Sequence, residues 1–264
     1  MIIEERYSKI LEILKEKRLV SYNELSSLLF VSSSTIRRDV ASMAKKGLLA
    51  KVHNGAALLE GNAEESPSLI RESEHVKEKR LIASLTRPYL LSGMTFFMDS
   101  STTCAQLIPL LNEFSNLIAI TNGIGNALEL ASAGVEVLIP GGTLFAKNTS
   151  VVGSETIDFL KRFSPDFFFF SARGLTENGI LSESNESTRA IKDVMIQKAK
   201  KKILLIDSSK IGKSYFTESG TMKDIDVLIT DSPLPESLKK ICIEEGVEVV
   251  EGSEREKGAK KGDD

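Results

Sequence analysis

Seven short runs of apolar residues within residues 77–250 constrain the fold of this chain more than any other feature of its sequence. Helical stretches fit between most of them. Phe167–Phe170 has no polar side, which is typical of a strand covered on both faces. Such runs alternating with helices predict an α/β domain on a mostly parallel sheet. The predicted strands are Thr95–Met98, Leu117–Ile120, Val135–Ile139, Asp166–Phe170, Ile203–Ile206, Val227–Ile229 and Val247–Val250.

Polar segments follow five of these runs. Because parallel strands end at one edge of a sheet, the segments are expected to form a ligand site there. Asp99–Thr103 is the most informative, since four hydroxyls and several amides would meet at the N-terminus of a helix that starts near Cys104, which suits phosphate. Arg173 or Lys210 would add a cation. Taken singly, each segment is better explained by helix capping, but five such segments on one edge of one sheet favour a ligand site. They are Asp99-Ser100-Ser101-Thr102-Thr103, Thr121-Asn122-Gly123, Pro140-Gly141-Gly142, Ser171-Ala172-Arg173-Gly174 and Asp207-Ser208-Ser209-Lys210.

Residues 1–59, here called the head, carry a different pattern. Apolar residues from Ile3 to Leu14 recur at helical spacing and predict a first helix that ends near Lys17-Arg18. Ser21–Glu24 predicts a capping box at the start of a second helix, in which the Ser21 hydroxyl and the Glu24 carboxylate bond each other's amides.

Ser32–Lys46 predicts a third, amphipathic helix. Its inner side carries Ile36, Val40, Met43 and Ala44, and its outer side combines arginines with short hydroxylated residues. That outer side suits the major groove of DNA, although a solvated helix face would look the same. The predicted DNA-contacting residues of this helix are Ser33, Ser34, Thr35, Arg37, Arg38, Ser42 and Lys45.

Asn54-Gly55 lies between two apolar arms and predicts a hairpin with a type I′ turn, which needs positive φ twice. A hairpin after such a helix forms a wing whose cations can touch phosphate or the minor groove. Lys51 and His53 are the predicted contacts, although a lone histidine is more often simply exposed.

Residues 3–58 resemble the winged helix of the DeoR family of bacterial transcription regulators. Asn54 stands where that family usually has glycine, and the turn is expected to survive because Asn tolerates the left-handed conformation. The residues that carry the resemblance are Glu24-Leu25, Val31-Ser32, Thr35-Ile36-Arg37-Arg38-Asp39, Gly47-Leu48 and Lys51-Val52-His53-Asn54-Gly55-Ala56.

Residues 75–250, here called the body, resemble the effector domain of the same family, whose fold is shared with ribose-5-phosphate isomerase and glucosamine-6-phosphate deaminase. The resemblance implies a sensor for a phosphorylated sugar or related metabolite. Ser101 stands where the family usually has glycine and is expected to narrow the loop. The matching residues are Asp99, Thr102-Thr103, Thr121-Asn122, Gly141-Gly142, Lys192, Met195 and Asp207-Ser208-Ser209-Lys210.

Composition agrees with a nucleic-acid module joined to another domain. Residues 1–60 have a charge balance of +3, while the rest of the chain has −6. Cys104 and Cys242 have no metal-like spacing, which predicts free thiols in a reducing cytoplasm. No metal and no cofactor are expected. No signal peptide or membrane span is expected. Residues 60–74 are polar and predict a linker, and residues 251–264 predict a disordered tail.

Together these features predict a DNA-binding repressor gated by a small phosphorylated effector and acting as a dimer or tetramer on double-stranded operator DNA, because one winged helix reads one half-site. One alternative is a body that only oligomerises. The other is a sugar-phosphate isomerase or deaminase with an added DNA-binding domain. Asp99, Glu183 and Asp207 are its conceivable bases. Only His53 and His75 are present, so the sheet offers no histidine and the chain is expected not to be an enzyme.

Overall fold

The structure, a computed structural model, describes residues 3–57 and 68–252, and the chain divides between Glu74 and His75 into two compact units. Most of the predicted linker lies outside the described residues, but residues 68–73 of it form a helix, so that part is not an irregular segment. Of the predicted tail, Glu251 ends a strand and Gly252 is buried, and the remainder lies outside the described residues.

Among the described residues, four helices and a small antiparallel sheet form the first unit. The elements are α1 (Ile3–Lys17), β1 (Leu19–Ser21), α2 (Tyr22–Leu29), α3 (Ser33–Lys45), β2 (Ala50–Val52), β3 (Gly55–Ala57) and α4 (Ser68–Ser73). The sheet order is β1-β3-β2, so the predicted hairpin gains a third strand that the sequence pattern did not indicate. The helices bury Ile10, Leu14, Leu25, Ile36 and Met43 in one shared core.

The predicted capping box at α2 is only half formed. The Ser21 hydroxyl accepts the Glu24 amide at 3.2 Å, as expected. The Glu24 carboxylate instead accepts a hydrogen bond from Lys17, because α1 ends beside it and offers an ammonium group.

The wing turn is not the predicted type I′. Only Asn54 has a positive φ, of 57°, so one left-handed residue suffices for the turn and Asn adopts it as expected. Gly55 is needed for another reason. A Cβ there would lie 2.4 Å from the Val20 carbonyl oxygen, because β3 runs directly against β1.

The second unit alternates strands and helices. Its helices are α5 (Val76–Leu85), α6 (Thr102–Ala105), α7 (Ile108–Leu111), α8 (Ile124–Ser132), α9 (Ser154–Leu160), α10 (Glu186–Lys198) and α11 (Glu236–Glu244). Its strands are β4 (Thr95–Met98), β5 (Ile118–Thr121), β6 (Glu136–Leu138), β7 (Thr143–Phe145), β8 (Ser150–Val152), β9 (Phe167–Phe170), β10 (Gly174–Leu175), β11 (Ile180–Glu183), β12 (Lys201–Ile206), β13 (Thr217–Thr221), β14 (Val227–Thr230) and β15 (Glu248–Glu251). Short 3-10 turns occupy Arg87–Tyr89, Ala146–Asn148, Ser208–Lys210 and Met222–Asp224.

All seven predicted strands meet in one sheet of order β15-β14-β12-β9-β4-β5-β6, and every neighbouring pair is parallel. The chain adds β5 and β6 on one side of β4, then β9, β12, β14 and β15 on the other. Strand order therefore reverses between β4 and β9. In open α/β sheets, ligands bind beyond the strand ends at such a switch point.

Both faces of this sheet are covered, which explains the purely apolar strands. Alternate residues of β9 point to opposite faces. Phe168 and Phe170 join a core with residues of α9, α10 and α11, whereas Phe169 joins a core with residues of α5, α6 and α7. Two smaller antiparallel sheets, β10-β11-β13 and β7-β8, accompany the large one and were not predicted.

Candidate functional site

The outer face of α3 presents the residues predicted to touch DNA. Ser34, Arg37, Arg38 and Lys45 are exposed, while Ser33, Thr35 and Ser42 are partly buried. The Ser32 hydroxyl caps the helix by accepting the Thr35 amide, and it also bonds the hydroxyls of Ser34 and Thr35 at 2.9 Å. Hydroxyls and guanidinium groups therefore share one surface.

Arg37 is held in place by an aromatic ring. Its guanidinium lies 4.8 Å from the centroid of the Tyr22 ring, a cation–π contact with the first residue of α2. This contact restricts the Arg37 side chain and so reduces the rotamer entropy that any further contact would cost. Lys51 and His53 are exposed on the wing hairpin, as their prediction requires.

Asp39, the last residue of the Thr-Ile-Arg-Arg-Asp run, does not belong to this face. It is buried and accepts two hydrogen bonds from the Arg6 guanidinium, at 2.5 Å and 3.1 Å. The hydrogen bonds to Asp39 raise the pKa of Arg6 despite the opposing effect of burial. The pair fastens α3 to α1, a role that helical periodicity alone did not reveal.

A second cluster of polar groups lies at the switch point of the large sheet. Asp99 follows β4 and Ser171 follows β9, and both are buried. The Asp99 carboxylate accepts the Ser101 amide at 2.9 Å and the Ser171 amide at 3.0 Å, which ties the two loops together. Because the Asp99 carboxylate bonds both its own loop and the loop after β9, it fixes the distance between these two loops.

Two lysines flank Ser171. The Lys192 ammonium donates to the Ser171 carbonyl and to the Glu183 carboxylate, each at 2.5 Å, and lies 3.3 Å from Asp99. The Lys210 ammonium donates to the Ser171 hydroxyl at 2.9 Å and to the Thr103 hydroxyl at 3.4 Å. Lys210 therefore reaches the predicted loop, as expected for its cation.

Lys192 and Glu183 are buried residues that the predicted site omitted. Lys192 belongs to the family resemblance, and Glu183 is a conceivable base of the alternative function, but neither is in the predicted effector site. Lys79 was also missed; it is buried on α5 and donates to the Thr102 hydroxyl at 3.0 Å. The two lysines lie on amphipathic helices, where charged residues are expected to face solvent, and Glu183 ends β11, a strand that the sequence pattern did not predict. The sequence therefore offered no signal beyond the resemblance.

Asp207 lies beside Lys210, at 3.5 Å. Burial opposes its ionisation, but the nearby charges of Lys210 and Lys79 and a hydrogen bond from Ser209 outweigh burial and lower its pKa. Asp207 is therefore an anion that anchors Lys210, and it is a poor general base for a proton abstraction near neutral pH.

The Asp99 loop differs from the prediction in detail. The following helix starts at Thr102, two residues before Cys104, and Ser101 is its N-cap, accepting the Cys104 amide at 3.2 Å. The Ser101 hydroxyl thus performs the capping role that was the alternative to ligand binding. Ser100 and Ser101 are partly buried, whereas Thr102 and Thr103 are buried.

The remaining predicted effector residues fall into two groups. Thr121 and Asn122 lie near the Asp99 loop, because the next residue, Gly123, packs on Ser100, where a Cβ would come within 2.9 Å of the Ser100 Cα. Their side chains bond the Gly123 amide and the Val151 carbonyl.

The other group is held by different neighbours. Gly141 and Gly142 are exposed and contact Thr156, and the φ of 143° at Gly142 explains that glycine. Arg173 stacks on the Tyr215 ring at 4.8 Å, and its Nε is buried without a hydrogen-bond partner in the described part of the chain.

The described residues contain neither a group of side chains that could hold a metal ion nor a helix that could span a membrane. Within residues 3–57 and 68–252, no group of three His, Cys, Asp or Glu side chains could hold a metal ion. Across the same ranges, no helix combines the length and apolarity needed to span a bilayer.

A winged helix with an exposed basic recognition face, joined to an α/β domain with a polar switch point, defines a DNA-binding transcriptional regulator with a sensor domain. Two family models match the chain: DeoR C terminal sensor domain over residues 74–232, and DeoR-like helix-turn-helix domain over residues 6–61. The chain belongs to the DeoR family of transcriptional regulators.

Characterised relatives match the chain over nearly its whole length. The HTH-type transcriptional regulator GlpR of Haloferax volcanii is 30% identical, with 97% of this chain and 100% of the relative covered. The glycerol-3-phosphate regulon repressor of Escherichia coli is 28% identical, with 93% of this chain and 97% of the relative covered. Both are similar proteins that act as transcriptional regulators.

Among solved structures, ribose 5-phosphate isomerase A from Methanocaldococcus jannaschii has a TM-score of 0.38 and 15% identity, with 50% of this chain and 53% of that chain covered. A likeness of this size carries no argument about activity. The parallel sheet and its switch point stand on their own geometry.

Proposed function

We propose that this regulator is a repressor of a carbohydrate-metabolism operon, and that a phosphorylated sugar or related metabolite bound at the switch point changes its affinity for operator DNA. The observation that carries the proposal is the cluster around Ser171. There the loops after β4 and β9 meet, with two lysines donating to the same residue.

The chemistry of the cluster suits a phosphorylated polyol. Lys210 is partly exposed and already bonds two hydroxyl groups, which a phosphate oxygen could replace as acceptors. The Asp99 and Glu183 carboxylates accept hydrogen bonds, as recognition of sugar hydroxyls requires. We place the effector against Asp99–Thr103 and Lys210, with Thr121 and Asn122 beside it, and with Gly141, Gly142 and Arg173 at its margin.

The name of the Escherichia coli relative supports this ligand class, since that repressor controls a glycerol-3-phosphate regulon. Glycerol 3-phosphate is accordingly one compound to test here. The wider panel consists of pentose and hexose phosphates, each paired with its unphosphorylated parent, so that the contribution of the phosphate is isolated.

The first experiment measures thermal unfolding of the full chain against this panel. A ligand that binds only the folded state stabilises it by about 2.7 kcal/mol at a hundredfold excess over Kd. We expect one phosphate, and not its parent, to raise the unfolding midpoint of the body and to change affinity for a duplex selected from random DNA by the wild-type protein. No shift across the panel would contradict the effector assignment.

A matched pair of variants tests the effector position. Lys210→Met removes the partly exposed ammonium and is expected to abolish the response to the phosphate. Lys202→Met removes an ammonium at the N-terminal end of β12, where it pairs with Asp226. That end is opposite the proposed effector edge, so the response should be unchanged. Equal responses in both variants would place the phosphate elsewhere.

Operator binding is assigned to α3 and the wing, through Ser33, Ser34, Thr35, Arg37, Arg38, Ser42, Lys45, Lys51 and His53. Arg37→Ala or Arg38→Ala should weaken binding by about 5–150-fold if either fork reads a guanine, without unfolding the protein. Glu12→Ala, an exposed position on α1, serves as the control. Wild-type affinity in both arginine variants would contradict the recognition face.

We further propose that the protein is not an enzyme, is cytoplasmic, and binds its operator as a dimer or tetramer. Both conceivable bases near Ser171 contact the same ammonium, that of Lys192, which leaves neither poised to abstract a proton. Turnover of any compound in the panel would contradict the first statement. Analytical ultracentrifugation of the full chain tests the assembly, and a monomer at operator-binding concentrations would contradict it.

A further inference from the structure

The turn between α2 and α3 contains a residue in an unfavourable backbone conformation. Phe30 has φ 54° and ψ 40°, in the left-handed region that side chains with a Cβ disfavour. The turn is fixed by Ser26, whose carbonyl accepts the amides of Phe30 and Val31 and whose hydroxyl donates to the Val31 carbonyl at 2.5 Å. Glycine is the residue that such a helix end favours.

The side chain of Phe30 does not pack in the core, so it does not offset the cost of this backbone conformation. It is 94% exposed, the largest exposed fraction of any large apolar side chain in the described residues. It takes no part in the core of the head, which forms around residues such as Leu25 and Ile36. A bulky aromatic residue therefore occupies a glycine-like position and extends into solvent.

Its location suggests what the ring contacts. Phe30 lies two residues before Ser32, the N-cap of α3, and the exposed Ser34, Arg37 and Arg38 follow directly. In helix-turn-helix proteins, the N-terminal residues of the recognition helix reach the base edges. The ring therefore projects at the end of α3 that enters the groove.

We infer that Phe30 is a DNA-contact residue whose ring packs on the apolar surface of operator DNA at the edge of the half-site. That surface is a thymine methyl group or a deoxyribose, the two apolar groups that a groove rim offers. The inference rests on the proposed recognition face of α3. It adds an apolar contact to a surface otherwise made of cations and hydroxyls.

Two substitutions separate the ring from the backbone conformation. Phe30→Ala removes the ring and keeps the Cβ, so the backbone remains disfavoured. Phe30→Gly removes both. We expect each to weaken binding to the wild-type-selected duplex by about tenfold, the loss that follows from exposing part of a phenyl ring. Phe30→Tyr, which keeps the ring, should bind within about twofold of wild type.

Stability should change differently from affinity. Amide hydrogen exchange in the α2 and α3 core of the full chain should slow by about fivefold in Phe30→Gly, because the Cβ penalty is removed, and should stay near wild type in Phe30→Ala. A variant that is more stable yet binds DNA less well shows a contact residue and not a structural one.

The character of the contact follows from salt and base analogues. The slope of log K against log salt should be unchanged in Phe30→Ala but reduced by about one in Lys51→Ala, if that lysine meets a phosphate. Replacing thymines singly with deoxyuridine assigns the contact. If deoxyuridine at one position lowers the affinity of the wild type but not of Phe30→Ala, the ring contacts the methyl group of that thymine. If no position behaves in this way, the ring contacts a deoxyribose.

The failure of this inference is distinguishable from that of the recognition face. If Phe30→Ala binds as wild type while Arg37→Ala binds weakly, the ring does not contact DNA and the recognition face stands. If both bind as wild type, the recognition face itself is wrong. Ile243→Ala, which removes a 78% exposed apolar side chain from the body, controls for general effects of apolar exposure.

Discussion

Replacing Asp39 with asparagine should destabilise the head strongly while leaving its DNA surface intact. The carboxylate lies on the buried side of α3 and accepts two hydrogen bonds from Arg6. Asparagine has nearly the same shape but no charge. The substitution therefore removes the negative charge that the enclosed guanidinium faces on α3. Breaking a buried ion pair by removing one partner is strongly destabilising.

The magnitude follows from burial. The two side chains are only 11% and 9% exposed, so solvent screens the loss poorly. Removing one partner of such a pair costs about 3–5 kcal/mol, and asparagine, which retains one acceptor, lies near the lower end. A unit of this size has a total stability of about 4–10 kcal/mol. The head of the variant should remain folded at low temperature, but its free energy of unfolding should be greatly reduced.

Amide hydrogen exchange of the full chain measures this loss in the head alone. The slowest amides of α1 and α3 should exchange about 100-fold faster in Asp39→Asn, which is about 3 kcal/mol. Glu24→Gln is the matched control, because the Lys17–Glu24 pair is 46% and 41% exposed and should change exchange by less than about fivefold.

A charge-free pair provides a further check. Arg6→Met combined with Asp39→Leu should recover most of the loss, because neither charge remains to be desolvated. Unchanged exchange in Asp39→Asn would refute the reasoning. If exchange is unchanged and DNA affinity at 10 °C also falls tenfold, Asp39 belongs to the DNA-contacting face and not to the core of the head.

Three further predictions concern other parts of the molecule. Gly55→Ala should destabilise the head by about 1–3 kcal/mol, because the added Cβ would meet the Val20 carbonyl. Gly125→Ala in α8 is the control, since its Cβ would enter open space and should not destabilise the body. Urea unfolding monitored by amide hydrogen exchange measures the stability of each unit. Hydrogen bonds from Lys200 and Thr95 lower the pKa of Asp166 to about 2, so its stabilisation is complete above about pH 4 and lost as pH falls toward 2. Asp166→Asn should flatten that pH dependence slightly, by under about 1 kcal/mol, because the carboxyl is 39% exposed. Burial raises the pKa of both Cys104 and Cys242, so iodoacetamide should modify them far more slowly in the native protein than in urea; rapid native labelling would contradict their burial.

The strands of the large sheet were predictable because each is short, continuously apolar and bounded by polar residues. All seven form, with ends within two residues of the prediction. Helix α3 was equally clear, since the Ser32 cap and the apolar period agree. Strand order, by contrast, follows from contacts such as β4 with β9, which join residues about 70 positions apart. No local pattern encodes such a pairing.

The polar contacts were harder to foresee. Lys192 and Lys79 lie on amphipathic helices, where a lysine is usually solvated, and their burial depends on carboxylates and hydroxyls from distant loops. Gly55 was assigned to a turn because Asn-Gly commonly makes one, but its reason is the approach of a third strand. The left-handed backbone of Phe30 was hidden because phenylalanine does not signal that conformation.

The switch point forms late during synthesis, because the residues that build it are spread along the chain. The polar cluster needs residues from Lys79 to Lys210, whereas the elements of the head are complete by Ala57. Domains generally fold as units during synthesis, at about 5–20 residues per second. The roughly 150 residues between Ala57 and Lys210 then correspond to about 8–30 seconds. During that interval the head can fold while the polar cluster is still incomplete, so ligand control begins only after Lys210 has been synthesised.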